Sequence, residues 1–582
     1  MRRILRFFKG STPTLIMGMI CTILVIFIEL SQTQMMATII NQGIKTSDMS
    51  VVWNTGLIML GLAILGMAFG IGSTTLASLV SNKFAARMRD NVYEKIQRFS
   101  LKKTSKYTTG TLVTRLSTDV DFLQRTVMFG LRLLVRSPIM LVSSVLIIWQ
   151  SDYRLAYIVL FFVVFLTFGI GIIIRLGFRR FKVLQTKVDK LNQHVQESLI
   201  NIRVIKSFVR EKFENKRFKE TNDDLRDYSI YSFKLMNWID PIMMFSLNFA
   251  TVIIMWVAAQ IIVKEQSIQV GDLLVFMNYL RFTLFSMMML TMMFNMFSRA
   301  KASIDRINEV LDEEIDIQSP QVNAIHLNEI EGKIEFENVD FKYFEDNEQY
   351  ILENINFTVL PGQQLGIIGS TGSGKSTLVY LLARLIDPIK GMIKVDGVNI
   401  KEMDLDQLRS SIGFVLQKNV LFTGSVAHNL RWGDQSATQE TLDWAAEISN
   451  IKEFIDGQEA GYDYEIQQGG SNLSGGQRQR MCLARALVIK PKILVLDDST
   501  SALDSQTEKQ INEAFKEKLQ GTTIVNIAQK ISSIAHCDQI LVLDEGKLVG
   551  KGTHNQLLET CQVYQEIYAS QLKKGGDFDV AQ

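Results

Sequence analysis

Six stretches long and apolar enough to cross a bilayer occupy the first half of the chain, near 14–36, 53–80, 127–150, 153–177, 240–263 and 271–297. A hydrocarbon core about 30 Å thick takes about 20 apolar residues in a helix. Only helices or closed barrels satisfy their own backbone polar groups there. Runs such as "LIMGMICTILVIFIELSQ" and "YIVLFFVVFLTFGIGIII" are too long and too apolar for soluble core helices. The first half is therefore expected to be an α-helical six-span transmembrane domain. Its first stretch carries Glu29 and no small-residue cleavage site, so it reads as a span and not as a removable leader.

Lys and Arg are distributed unevenly between the connections. Residues 81–125 hold ten and residues 179–239 hold fourteen, whereas the other three connections contribute only Lys45, Arg154 and Lys264. The positive-inside rule puts the N-terminus, both long connections and the second half in the cytoplasm. Both long connections show apolar residues at helical spacing among charges of both signs. They are expected to be long cytoplasmic helical extensions of the spans, with turns at "KKTSKYTTG" and near "SFVREKF", and paired stalks of this kind suggest mechanical coupling.

Composition excludes several alternatives. A net charge of +2 over 582 residues, 21% of them charged, argues against a polyanion-wrapping protein, so no nucleic-acid partner is expected. Cys21, Cys482, Cys537 and Cys561 are scattered without metal-ligand spacing, which speaks for a reducing compartment and against a disulfide framework or zinc site.

A polar linker over 312–333 separates the spans from a second half of short apolar strands, glycine turns and helices, an α/β pattern. In "LGIIGSTGSGKSTLVYLL" a strand runs into the loop Gly369, Ser370, Thr371, Gly372, Ser373, Gly374, Lys375, Ser376 and then, from Thr377, a helix. Successive N–H groups in such a loop cradle nucleotide phosphates. Lys375 is expected to neutralise the β- and γ-phosphates and Ser376 to ligate Mg²⁺. A P-loop domain also needs an acid at the end of a neighbouring strand to hold the metal. Asp497 in "KILVLDDSTSALD" fits that position, and Asp498 follows where the water-orienting acid belongs. The helix opening "NLSGGQRQRMCLARAL" presents Ser474, Gly475, Gly476 and Gln477 as a second anion site.

The three motifs at these spacings resemble the nucleotide-binding domain of the ATP-binding cassette (ABC) transporters. Six spans with two long connections ahead of the cassette look like a bacterial exporter half-transporter of the type IV fold. The resemblance implies a transmembrane domain over 1–311, an ABC ATPase domain over 334–570 and a C-terminal tail over 571–582. It further implies ATP and Mg²⁺ as cofactors, the lipid bilayer as the chain's environment, and Tyr343 stacking on adenine. Gln417 would contact Mg²⁺, "SALD" (501–504) would communicate between sites, and Ser474–Gln477 would complete the ATP site of a partner chain. No peptidase-like extension precedes the first span, so the peptide-processing branch is not expected.

Two positions depart from the family pattern. Asp498 stands where most members have Glu, and Gln529 in "NIAQKIS" stands where most have the switch His. Asp draws its carboxylate back by about 1.5 Å, one C–C bond, and a misplacement near 1 Å can cost roughly a hundredfold in rate. Gln can hydrogen-bond a phosphate but cannot carry the imidazole's charge. The chain thus resembles the degenerate-site subunit of heterodimeric multidrug exporters, whose partner half-transporter keeps the Glu and His. Gln468, where the family's loop before the signature usually has Glu, departs as well, with Glu465 close by.

Residues 240–300 hold ten methionines and several aromatics. Flexible, polarizable side chains suit a cavity for varied amphipathic small molecules, or simply lipid-facing packing. A lipid, lipopeptide or peptide cargo, and an ATP-gated regulator without transport, are the alternatives. Glu29 is either a cation-recognising acid or one half of a structural pair, and Arg132 and Arg136 are read as snorkelling near the inner interface.

Overall fold

Helical segments of 33 to 54 residues far exceed bilayer thickness, since each residue rises about 1.5 Å. In the computed structural model six such segments run Thr12–Ile44, Met49–Gln97, Thr109–Ser151, Tyr153–Ile200, Glu211–Lys264 and Val270–Asp312. Each contains one of the six expected spans. The structure describes residues 6–264, 268–320, 324–343, 349–499 and 503–573, which fall into two compact units. One unit comprises Met1–Lys95 and Thr109–Asp312, the other Ile96–Thr108 and Glu313–Gln582.

In the first unit the helices meet along apolar stripes. Ala250, Ile254, Ala258 and Ile261 recur at three- and four-residue intervals and pack into the same core as Leu155, Val159, Phe162 and Leu166. The opposite surfaces stay apolar: Trp53, Leu57, Leu60, Ile64 and Met67 are all exposed, as befits contact with lipid. Pro241 explains a break in the fifth segment, which is two helices, Glu211–Met236 and Ile239–Lys264. Its ring leaves no room for the carbonyl four residues earlier, at Asn237. Beyond bilayer length, charged pairs join apolar packing, with Val120, Ile307 and Val310 fully buried. Buried Asp119 accepts from Ser303 Oγ at 2.7 Å and Arg306 Nε at 2.9 Å, and Arg115 pairs with Glu309 at 2.8 Å.

The stretch "KKTSKYTTG" is more structured than a turn. Leu101–Lys106 is a helix, capped by Ser100, whose side chain accepts from the Lys103 N–H. The stretch near "SFVREKF" likewise begins in a helix, Ile202–Ser207. Segment 96–108 packs with the second unit: Leu101 N–H donates to the Leu385 carbonyl at 3.3 Å, and Ser100 Oγ donates to Asp316 at 2.8 Å. Glu313 accepts from Lys103 and Lys106, both at 2.6 Å, and from Tyr107 at 2.9 Å.

The Lys103 hydrogen bond, then that of Lys106, holds Glu313 down at about 2 against the opposing effect of burial. A depressed carboxyl stabilises the fold fully above its ordinary value of 4.5 and loses that contribution as pH falls toward 2. Glu313→Gln is expected to destabilise by about 1–2 kcal/mol at neutral pH, allowing for solvent screening of the exposed Lys106. Thermal unfolding of both proteins should show the difference shrinking once pH drops below that ordinary value.

Two main sheets frame the second unit, beside a two-stranded pairing of Gly424–Ser425 with Glu465–Ile466. In the larger, the order is Lys547–Gly552, Gln539–Asp544, Gln364–Gly369, Thr523–Ile527, Ile493–Asp497, Ile412–Val415, parallel except at the first pair. Ile493–Asp497 is buried at every position, as an unalternating apolar run inside a parallel sheet should be. The smaller, antiparallel sheet orders Leu352–Val359, Ile334–Phe341, Lys390–Val395 and Val398–Asn399. Part of the stretch read as linker also packs here: Ile325 N–H donates to the Glu402 carbonyl at 2.9 Å, and Ile330 is buried. The last helix runs Gln562–Lys573, so residues 571–573, read as tail, are helical.

Candidate nucleotide site

Parallel strands gather their carboxyl ends on one edge of the sheet, where α/β proteins bind ligands. A cavity of about 530 Å³ opens there. Into it come the loop after Gln364–Gly369, Asp497 at the end of Ile493–Asp497 and Asp498 just beyond it, Gln529 after Thr523–Ile527, and Gln417 after Ile412–Val415.

The loop needs its glycines. Gly372 and Gly374 lie at φ of +87° and +94°, and a Cβ on Gly374 would sit 2.8 Å from the Ile351 carbonyl. Lys375 folds back over the loop, Nζ donating to the carbonyls of Gly369 at 2.9 Å and Ser370 at 2.7 Å. Burial pushes its ammonium below the usual lysine range, while Asp497 and Asp498 pull the other way. Ser373 is buried, with its N–H turned to the Ser370 carbonyl at 3.2 Å, and does not line the cavity. Tyr343 does line it; its hydroxyl lies 3.3 Å from Thr377 Oγ1 and its ring meets Phe341 edge-on at 5.0 Å.

Asp497 is fully buried and accepts from Ser376 Oγ at 3.0 Å through Oδ1. Its Oδ2 has no hydrogen-bond partner among the described residues. Burial raises its carboxyl above the usual range, the Ser376 hydrogen bond opposing. A buried carboxylate oxygen without a donor is costly unless a cation compensates it. The pair therefore fits Mg²⁺, which usually takes one or two protein ligands and completes its shell with water and phosphate. No cluster of three or more His, Cys, Asp or Glu with metal-ligand geometry occurs among the described residues.

Two of the three departures from the family pattern, Asp498 and Gln529, meet each other. Gln529 Nε2 donates to Asp498 Oδ2 at 2.7 Å. Asp498 sits at φ +50°, a left-handed conformation that Asp tolerates better than most residues. Two glutamines that the motifs do not single out hold this pair. Gln571 Nε2 donates to the Gln529 carbonyl at 2.8 Å while its Oε1 accepts from Ile531 N–H at 2.9 Å. Buried Gln479 reaches the Asp498 carbonyl at 3.5 Å. A polar residue on the same helical face as buried Cys482, Leu483 and Ala486 was the available signal for Gln479; Gln571 offered none.

Ser474–Gln477 stand apart from this cavity. Ser474 caps the helix Gly475–Leu487 in a capping box with Gln477: Ser474 N–H donates to Gln477 Oε1 at 2.8 Å, and Gln477 N–H to Ser474 Oγ at 3.2 Å. Gly475 is exposed. Of "SALD", Ser501 and Ala502 lie outside the described residues, and Asp504 caps the helix Ser505–Lys518. Gln468 opens a short turn helix over Gln468–Gly470, and Glu465 lies in the short strand before it.

Comparison with known proteins matches the same two halves. The family profile described as "ABC transporter transmembrane region" matches residues 15–288, and that described as "ABC transporter" matches 352–501. The Bacillus subtilis (strain 168) protein described as "Uncharacterized ABC transporter ATP-binding protein YfiB" is 36% identical over 576 residues, 99% of each chain. A protein of like description from Mycobacterium tuberculosis (strain H37Rv), Rv1273c, is 33% identical over 92% of each chain. A solved "bacterial Atm1-family ABC exporter with ATP bound" superposes with a TM-score of 0.79 at 26% identity, over 98% of both chains. Membrane helices and cassette thus share one chain that aligns end to end with such proteins. It belongs to the ABC transporters, as an exporter half-transporter that binds ATP with Mg²⁺, couples its hydrolysis to transport and works in the membrane as a dimer.

Proposed function

We propose that this chain is the ATP-holding subunit of a heterodimeric exporter of drugs or other amphipathic compounds in a bacterial plasma membrane. The hydrogen bond between Gln529 and Asp498 carries this reading. Where a longer carboxylate and an imidazole would orient water and receive a proton, a retracted carboxylate is tied to an amide that transfers none. Binding does not depend on either residue. Lys375 and the loop N–H groups hold phosphate, Ser376, Asp497 and Gln417 hold Mg²⁺, and Tyr343 stacks on the base. When bound, Mg²⁺ neutralises charge on the β- and γ-phosphate oxygens. ATP is thus retained more than cleaved at this site, while Ser474–Gln477 complete the working site on a partner that keeps Glu and His. Lys/Arg asymmetry supports a cytoplasmic N-terminus and cassette.

The methionine-rich wall of the spans supports an amphipathic cargo. Glu29 is less available for cation recognition than its sequence position suggested, because Arg136 Nη2 donates to both of its oxygens at 2.9 Å. Uptake of a fluorescent amphiphile by inverted vesicles is the test. The complex should accumulate the probe with ATP, and the chain alone should bind Mg-ATP but turn it over slowly. ATPase without uptake would favour a regulator, and ordinary turnover by a demonstrated homodimer would remove the degenerate-site assignment.

A further inference from the structure

A second cavity, of about 870 Å³, lies within the first unit, lined by residues of the helices Thr109–Ser151 and Val270–Asp312. Its wall is largely Phe and Met, including Phe129, Met140, Phe282, Phe285, Met289 and Met293. Every charge lining it is positive: Arg132, Arg136 and Arg299. Glu29 answers Arg136. Arg299 lies over the Phe122 ring, 5.1 Å from its centroid, and neither Arg299 nor Arg132 forms an ion pair among the described residues. The acids nearest in sequence to Phe122 are committed elsewhere, Asp119 to Ser303 and Arg306 and Asp121 to Arg89.

Guanidinium groups without a counter-charge beside an apolar wall are costly, and the cost falls when a ligand brings an anion. Arg is suited to this, since its planar fork matches carboxylate, sulfonate and phosphate oxygens. We propose that the cavity binds an amphipathic anion, its acidic head on Arg132 and Arg299 and its apolar body on the Met/Phe wall. This rests on the export reading and narrows its cargo from amphiphiles in general to anionic ones. A cationic ligand in the cavity would meet the positive charges of Arg132 and Arg299, which no ion pair offsets among the described residues, and this disfavours lipophilic cations.

The same chemistry is offered by a free amphiphile and by an anionic bilayer lipid, so the experiment separates them. The complex is reconstituted in phosphatidylcholine vesicles and given a dansyl fatty acid or a dansyl alkylamine of equal chain length. ATP-driven uptake and ATPase stimulation should favour the acid. Arg132→Gln and Arg299→Gln should each raise its half-saturating concentration by about ten- to a hundredfold, the scale of a lost hydrogen bond to a charged group. Arg→Lys at either position should retain part of the response, as a charge without the fork. If the ligand is a lipid, phosphatidylglycerol in the vesicles should stimulate the wild-type ATPase, compete with the acid and lose both effects in the Gln variants. If it is a free amphiphile, phosphatidylglycerol should do neither. Preference for the amine, or an acid response unmoved by both Gln variants, would overturn the anionic cargo while leaving export intact. Brisk ATPase with no uptake of either probe would overturn export and this proposal together.

Discussion

Gly475→Asp in the assembled complex is expected to cut ATP turnover by about a hundred- to a thousandfold, the usual loss when a preorganised donor site for phosphate charge is destroyed. The glycine is exposed at the first position of Gly475–Leu487, behind the Ser474 cap. An acid in the first turn of a helix interacts favourably with its dipole, so the helix itself should not be weakened. On the proposed role of Ser474–Gln477 at the partner's site, the damage comes instead from a carboxylate and its volume set against the γ-phosphate on the partner's loop. ATP binding to the Lys375 site, measured by nucleotide crosslinking to this chain, should persist because Ser474–Gln477 do not line that cavity. Loss of binding there together with turnover would place the signature helix in its own chain's site.

Restoring both altered residues should have the second largest effect. Asp498→Glu with Gln529→His is expected to raise single-turnover hydrolysis at this chain's site by about a hundredfold, combining a carboxylate returned to reach with a general acid–base group. The residues share a 2.7 Å hydrogen bond, so their effects should not add. Asp498→Glu alone pushes the longer carboxylate against the Gln529 side-chain amide, on a residue whose backbone carbonyl Gln571 holds, and only part of the gain should follow. The assay requires a complex whose partner site is inactivated. No gain from the double change would locate the defect in the partner's signature loop.

Local pattern carried much of this fold. Apolar run length placed the spans, and the 369–376 loop, Asp497 and the 474–477 helix start each announced themselves by residue type and spacing. What pattern missed was contact between distant residues. Asp498 and Gln529 are 31 positions apart and meet because Ile493–Asp497 and Thr523–Ile527 are adjacent strands, with Asp497 in register with Ile527. Glu29 and Arg136, 107 apart, join different helices. Glu313 gathers two lysines and a tyrosine from more than 200 residues earlier, which is why "KKTSKYTTG" read as a plain turn. Gln571 falls in the expected tail because nothing in its neighbourhood reveals that its partners are Gln529 and Ile531. The cavity's positive charge emerges only once two helices bring Arg132 and Arg299 to one cavity.

The division of labour between the two ATP sites is tested most directly by steady-state ATPase of the complex carrying Asp498→Asn, measured beside the Gly475→Asp complex. Asp498 already does little hydrolysis if Gln529 ties it back, so neutralising it should leave turnover within a few fold of wild type, while Gly475→Asp collapses it. Abolition of turnover by Asp498→Asn, with the Gly475→Asp complex still active, would reverse the assignment of holding and working sites.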